Sequence, residues 1–334
     1  MIFLLLSVSL LGLLMILYWK KISEFYDVYD YPDFYRKIHK TPIPLLGGFY
    51  IVFNFVLLFL AEYFVTQETQ KIFFSKKEFF FLNIGLILFY ILGYFDDKKS
   101  INPNMKLFLT VVISLFAAYL DKDAKLEMLT FSFLPEVVSL SYFSWIVTVL
   151  CFALFINALN MLDGINCQVA TYVIFILIIF IAKGVLVNLS LLCILFLSVF
   201  LVLNYQNKIY LGDSGTLVLG FVISYFFIKT YNAQHSFYAD EIFLIMSIPG
   251  YELVRLFFSR IFLGKHPFSA DQNHMHHLLL KKFDYGKTFL IMQILLLFPC
   301  LLFLIFGNFY ISFSLSLSLY IFLIIKFSKK NDYK

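Results

Sequence analysis

The sequence predicts an all-α, polytopic membrane protein of about eleven transmembrane helices, and three observations carry that prediction. Of its 334 residues, 61% are hydrophobic and only 14% charged, with a mean hydropathy of +0.87. Soluble domains run near a quarter charged because their surfaces face water, so a chain this poor in charge finds much of its solvent in lipid. Apolar runs long enough to cross roughly 30 Å of hydrocarbon recur along it. Period-two alternation is absent, and in lipid a helix satisfies its own backbone hydrogen bonds without closing a barrel.

Taken in order, spans are predicted near 2–18, 46–65, 79–95, 106–120, 142–161, 168–182, 185–204, 214–230, 240–257, 288–306 and 309–327. The runs at 106–120 and 168–182 are the short ones. The opening run carries its charge after the apolar stretch, at Lys20 and Lys21, and nothing basic precedes it. That order predicts a retained span with its N-terminus outside, not a secretory signal peptide. The segments 19–45, 96–106, 162–167, 205–213, 255–287 and the tail then face inward. They hold nineteen of the 26 Lys and Arg, including all three arginines. This bias predicts that these segments and the C-terminus are cytoplasmic. No repeat, linker or soluble domain interrupts the pattern, so a single domain over 1–334 is expected. Cys151, Cys193 and Cys300 lie in apolar runs and Cys167 in a short loop. Without CxxC spacing they indicate neither a metal site nor a disulfide framework.

Chemistry is expected in the inner segments. The first reads DYPDFYRKIHKTPIPLLGG and carries Arg36 and His39; alone, it is a basic juxtamembrane loop that favours anionic headgroups. The second, DDKKSINPNMKL, places Asp96 and Asp97 at the end of a span. There the helix dipole opposes them, so they are not present for helix stability. Metal coordination or proton abstraction is the functional reading, and neutralisation by Lys98 and Lys99 the plain one. The third, INALNMLDGINCQ, repeats Asn157, Asn160, Asp163 and Asn166 at spacing three with no Lys or Arg, a polar stripe on one helical face or its unwound end. In LGDSG, Asp213 lies between glycines before a span; an N-cap would explain it, and no Walker A lysine follows.

The fifth segment, RIFLGKHPFSADQNHMHHLL, gathers Arg260, Lys265, His266, His274, His276 and His277. Adjacent histidines fall on different helical faces and no cysteine joins them, which argues against zinc. Hydrogen bonding or charge neutralisation of a diphosphate suits them better. Jointly, carboxylates and cations delivered to one side suit a phosphate-bearing cytosolic substrate meeting a partner held in the membrane, with a metal ion bridging the anionic groups. Nothing calls for a nucleic acid.

In this order the five motifs resemble the polyprenyl-phosphate N-acetylhexosamine-1-phosphate transferases, the superfamily that includes phospho-N-acetylmuramoyl-pentapeptide transferase. The resemblance covers roughly residues 30–280. It implies transfer of a sugar 1-phosphate from a UDP-sugar to undecaprenyl phosphate, releasing UMP, at the cytoplasmic face of a bacterial inner membrane. It also implies Mg²⁺, with Mn²⁺ as a substitute, and is compatible with a homodimer. Asp96 and Asp97 match the aspartate pair that handles the lipid phosphate, and Asp213 the aspartate that holds Mg²⁺ together with Asp97. Asn160 and Asp163 match the segment lining the nucleotide site, where Asn166 stands for a second Asp and Cys167 for a Gly. His274, His276 and His277 match the motif near diphosphate and sugar, with Arg260 and Lys265 as helpers and Arg36 and His39 as further substrate-binding residues. Glu252 stands where an Asp is usual. Competing readings are the muramoyl-pentapeptide transferase branch, a transporter or flippase, and an inactive scaffold.

Overall fold

A computed structural model describes residues 2–32, 41–65, 76–267 and 271–328. Arg36 and His39 lie outside the described residues. Within them the chain forms α1 (Ile2–Tyr26), α2 (Gly47–Val65), α3 (Lys76–Lys98), α4 (Pro103–Leu120), α5 (Ser144–Leu162) and α6 (Gln168–Ala182). It continues as α7 (Val187–Tyr205), α8 (Gly212–Gln234), α9 (Ala239–Phe262), α10 (Met275–Leu280), α11 (Tyr285–Phe306) and α12 (Phe309–Ser328). Nine of these helices are long and apolar enough to cross a membrane, and α2 and α6 are apolar but shorter. The protein is an all-α, multi-pass membrane protein, and these eleven helices fall where the eleven spans are expected. The short α10, inside the histidine segment, was not expected.

Local chemistry explains several boundaries. Asn102 caps α4 by accepting the Asn104 N–H at 2.9 Å, and Pro103 takes the first helical position, where a missing N–H costs nothing. Asp284 caps α11 by accepting the Lys287 N–H at 2.9 Å, and Gly307 closes that helix in the left-handed region at φ 60°.

The described chain divides into two compact units where the sequence showed no boundary. The first comprises Met1–Leu126 and Tyr142–Ser236. Its centre is α8, which is buried from Ser214 to Tyr231 and packs against α2, α3 and α5. A helix apolar on all sides belongs in such a position. Two of its buried hydroxyls turn back onto its own carbonyls: Ser224 donates to Phe221 O and Thr230 to Phe226 O, at 2.9 and 2.7 Å.

The second unit comprises Glu127–Ser141 and Phe237–Lys334. Its first piece is an antiparallel hairpin, β3 (Met128–Phe131) with β4 (Leu134–Ser139), joining the end of α4 to the start of α5. Contacts bind this hairpin to the C-terminal helices. Asp240 accepts the Ser132 N–H at 2.7 Å and its hydroxyl, and the Phe133 ring lies 5.1 Å from that of Phe309. A second small sheet, in the first unit, pairs β1 (Tyr29–Asp30) with β2 (Ile43–Pro44). The loop into α8 runs alongside it: Tyr210 N–H donates to Pro44 O, and Gly47 N–H to Tyr210 O, both at 2.9 Å.

Candidate active site

The start of α8 organises the polar groups of the first unit. Gly212 sits at φ 71°, a left-handed conformation that suits glycine, and a Cβ there would lie 2.7 Å from Asp97 Oδ2. Asp97, at the end of α3, accepts the Asp213 N–H on Oδ1 at 2.7 Å and the Ser214 N–H on Oδ2 at 3.0 Å. One carboxylate thus caps two of the backbone donors that a helix start leaves without partners. Close approach of α3 is possible because position 93 is glycine; a Cβ there would collide with the Ser214 backbone.

Around the side chain of Asp213 the structure gathers three more residues. Lys106 Nζ, in the first turn of α4, lies 2.7 Å from Asp96 Oδ2, 3.2 Å from Asp213 Oδ1 and 3.2 Å from Asn160 Oδ1. Asn160, near the end of α5, donates its amide to Asp213 Oδ1 and, at 2.8 Å, to the Thr216 hydroxyl. Asp96 also accepts the Ile101 N–H at 2.6 Å, which turns the chain from α3 into α4. Asp96, Asp97, Asn160 and Asp213, expected from separate motifs, therefore meet at one place. Asn157 does not join them; its amide donates back to Ala153 O at 2.7 Å.

Asp163 caps the end of α5. Its side chain reaches solvent, but surrounding protein strips hydration from the charged form, and Asp213, Asp97 and Asp30 repel it. Together these push its carboxyl up to about 8. Lys106 is the cation set directly among these carboxylates, and an ammonium held by three oxygens marks a place where positive charge is favoured. The donors are hard oxygens of the kind Mg²⁺ takes. Asp213 and Asp96 would hold such an ion, and each oxygen of Asp97 keeps a lone pair beyond the amide it accepts. Oxygen ligands are therefore at hand for a divalent cation beside Lys106, whose ammonium itself stands between Asp96 and Asp213.

Lys106 and Thr216 join this cluster although no sequence motif singled them out. A signal for Lys106 was present: Asn102 and Pro103 fix a helix start, which puts Lys106 on the first turn, beside the loop that begins at Asp96.

Asn166 is held by an adjoining network. Its amide donates to Asn204 O at 3.1 Å and to Asn207 Oδ1 at 2.7 Å. Cys167, at φ 66°, donates its N–H to Asn204 Oδ1 at 2.6 Å. The Asn166 amide thus fastens the 163–167 loop to the end of α7, and an Asp could not donate in either bond.

The histidines lie in the second unit. Their rings lie at centroid distances of 5.3 Å (His274–His276, stacked), 5.5 Å (His274–His277, edge-on) and 4.2 Å (His276–His277, tilted). Burial, with mutual repulsion, pushes His276 well below its ordinary value and His277 down to about 4. Burial also lowers His274, with Glu252 and Asp271 partly offsetting it. These rings are neutral at pH 7, so of the two expected roles the free protein is prepared for hydrogen bonding. Arg260, expected at substrate, is buried and holds the loop: Nε donates to Asp271 Oδ2 at 2.8 Å and Nη1 to Pro267 O at 2.9 Å. Burial raises the Asp271 carboxyl, but Arg260 and the Asn273 N–H outweigh it and hold it below the usual range. Lys265 is exposed just beyond α9.

Fold and site define a multi-pass membrane protein with an oxygen-rich, lysine-bearing centre at the ends of its helices. The model of glycosyl transferase family 4 matches residues 79–231, the stretch that holds Asp96, Asp97, Lys106, Asn160, Asp163 and Asp213. Among similar proteins is the undecaprenyl-phosphate alpha-N-acetylglucosaminyl 1-phosphate transferase of Salmonella typhi, 25% identical over 83% of this chain and 76% of the relative. A probable undecaprenyl-phosphate N-acetylglucosaminyl 1-phosphate transferase of Bacillus subtilis is 26% identical over 73% and 68%. The Escherichia coli (strain K12) transferase is 23% identical over 83% and 76%. Residues 79–231, somewhat under half of the chain, are thus similar to glycosyl transferase family 4.

Proposed function

We propose that this protein transfers an N-acetylhexosamine 1-phosphate from a UDP-sugar to undecaprenyl phosphate at the cytoplasmic face of a bacterial inner membrane. An oxygen of the lipid phosphate attacks the sugar-bearing phosphorus of the UDP-sugar. A new P–O bond forms, the bond to the uridylyl phosphate breaks, and UMP leaves with the electron pair. The lipid phosphate is already ionised at neutral pH, so direct attack needs no strong base.

The observation that carries this reading is the centre at Asp96, Asp97, Lys106, Asn160 and Asp213. Phosphoryl transfer depends mainly on in-line positioning and neutralisation of charge. Lys106 supplies a fixed positive charge, and Asn160 orients Asp213 by donating to its carboxylate. Asp97 holds the helix start that carries Asp213. Mg²⁺, when bound, would neutralise phosphate oxygens and polarise the bond that breaks. Asp213 and Asp96, with Asp97, are the residues that would hold it. The neutral histidines can donate to a diphosphate or sugar, and the names of the relatives support undecaprenyl phosphate as acceptor.

The test is direct. Membranes holding this protein are given Mg²⁺, undecaprenyl phosphate and radiolabelled UDP-N-acetylhexosamines. Butanol-extractable label is expected with at least one donor, and chelation is expected to remove it. Absence of both lipid label and UMP exchange with every donor overturns the proposal.

A further inference from the structure

The three histidines carry little that fixes their own rings. His274 Nδ1, His276 Nε2 and His277 Nδ1 are buried with no hydrogen-bond partner among the described residues. Their helix, α10, is six residues long. Helices so short do not hold themselves, and the His274 side chain makes no cap hydrogen bond. Apart from the approach of His274 Nδ1 to within 3.6 Å of Glu252 Oε1, the position of the rings depends on the backbone that carries them.

That backbone is gripped on both sides of His274 by one ion pair from α9. Glu252 and Arg255 are three residues apart, hence on one helical face, and Arg255 Nη2 lies 2.9 Å from Glu252 Oε1. Arg255 Nη2 donates to Asn273 O at 2.7 Å, on the residue before His274. Glu252 Oε1 accepts the Met275 N–H at 2.8 Å, on the residue after it. The carboxylate thereby caps α10 from another helix, with the sign that a helix N-terminus favours. A third element locks the pair. Tyr320 of α12 donates its hydroxyl to Glu252 Oε2 and accepts from Arg255 Nε at 2.8 Å. Glu252 and Tyr320 are both buried, so these bonds form where water does not compete for them.

We propose that Glu252, Arg255 and Tyr320 form a positioning unit that sets the histidine helix for the sugar-nucleotide donor. This rests on the reading above that the histidines meet that donor. The unit itself touches no substrate. The length of Glu252 matters: an Asp one methylene shorter cannot keep the carboxylate on both Tyr320 and the Met275 N–H without moving the backbone.

Hydrogen–deuterium exchange on the full-length protein in nanodiscs, with transfer kinetics, tests this. In Glu252→Ala, peptides covering 271–280 are expected to exchange at least about tenfold faster than in the wild type, with peptides of the first unit unchanged. The KM for the UDP-sugar is expected to rise about 10–100-fold, the usual scale for removing a supporting partner, with the KM for undecaprenyl phosphate unchanged. A merely structural loss would lower the active fraction and leave both KM values alone. Glu252→Asp should resemble Glu252→Ala. Tyr320→Phe, which keeps the carboxylate on the Met275 N–H, should fall between them and the wild type. If Glu252→Ala fails to accumulate, Glu252→Gln and Tyr320→Phe carry the test. Unchanged exchange over 271–280, or faster exchange with an unchanged donor KM, overturns the proposal. A wild type that moves no sugar phosphate with any donor overturns the proposed reaction instead, and the exchange measurement still decides whether this unit holds the helix.

Discussion

Lys106 shows what a single side chain contributes at this centre. Its ammonium is held by Asp96, Asp213 and Asn160, so removing it leaves carboxylates facing one another and takes away the positive charge set beside an incoming phosphate. Lys106→Ala is expected to lower kcat by about 10²–10³-fold, the scale seen when a preorganised electrostatic donor is lost; single-turnover transfer in membranes measures it. Asp213→Asn is expected to abolish transfer while leaving the amount of protein in the membrane unchanged. Asp97→Asn should differ from it, abolishing transfer and also lowering thermal stability, because an amide cannot accept both N–H groups that Asp97 now caps.

At Asp163 the effect is one of pH. Below its ordinary value of about 4, the folded and unfolded chains both hold the proton. As pH rises towards 8, the unfolded chain releases it while the folded carboxyl, pushed up to about 8, retains it. Stability from this group therefore declines between pH 4 and 8. Thermal unfolding of the metal-free protein should show that slope, and Asp163→Asn should reduce it. Asn166→Asp is expected to destabilise by about 1–3 kcal/mol, since it turns two donated bonds into acceptors facing acceptors; a melting curve in detergent checks it.

Among the helices, α8 has the most demanding design. Its first turn carries Asp213, and near its other end the buried Lys229 Nζ lies 2.9 Å from Glu78, 3.2 Å from Asp121 and 3.1 Å from Asp123. These three carboxylates are close enough to one another to suggest a metal group, but the lysine already occupies the space between them. The pairing fastens α8 to the start of α3 and to the turn after α4. Lys229→Ala leaves Glu78 and Asp121 buried without their cation, an arrangement that costs about 3–5 kcal/mol. The expected outcome is a much lower melting temperature with donor KM unchanged in the protein that survives. At the first turn, Gly93→Ala would drive a methyl group into the Ser214 backbone, and loss of transfer through displaced Asp213 is expected.

For the molecule as a whole, the alternation of charged segments supports the proposed orientation. Lys265 is exposed beyond α9, so a single cysteine placed there, with the four native cysteines replaced, is a direct reporter. An impermeant maleimide should label it in inverted vesicles and not in intact cells; the reverse pattern overturns the orientation. Division into two units was not legible in the sequence, because the hairpin at 128–139 lies between spans of the first unit and joins the second through contacts such as those with Asp240, Phe309 and Tyr310. Those contacts link positions more than a hundred residues apart, which no local pattern announces.

By itself, the sequence determined that this is a membrane protein of apolar helices and which motif residues are candidates for its chemistry. Both follow from quantities that add up along the chain: hydropathy summed over a span, and motif spacing within a segment. Only the tertiary structure decided that Lys106 stands among Asp96, Asp213 and Asn160, and that Asp97 spends its oxygens on the start of α8. It also decided that Arg260 staples a loop and that Glu252 and Arg255 grip the backbone around His274. These are facts of proximity within a few ångströms between residues distant along the chain or turned in directions that spacing does not specify. At that range hydrogen bonds and charge act, and helix-on-helix contact, not local order, sets which groups come within it.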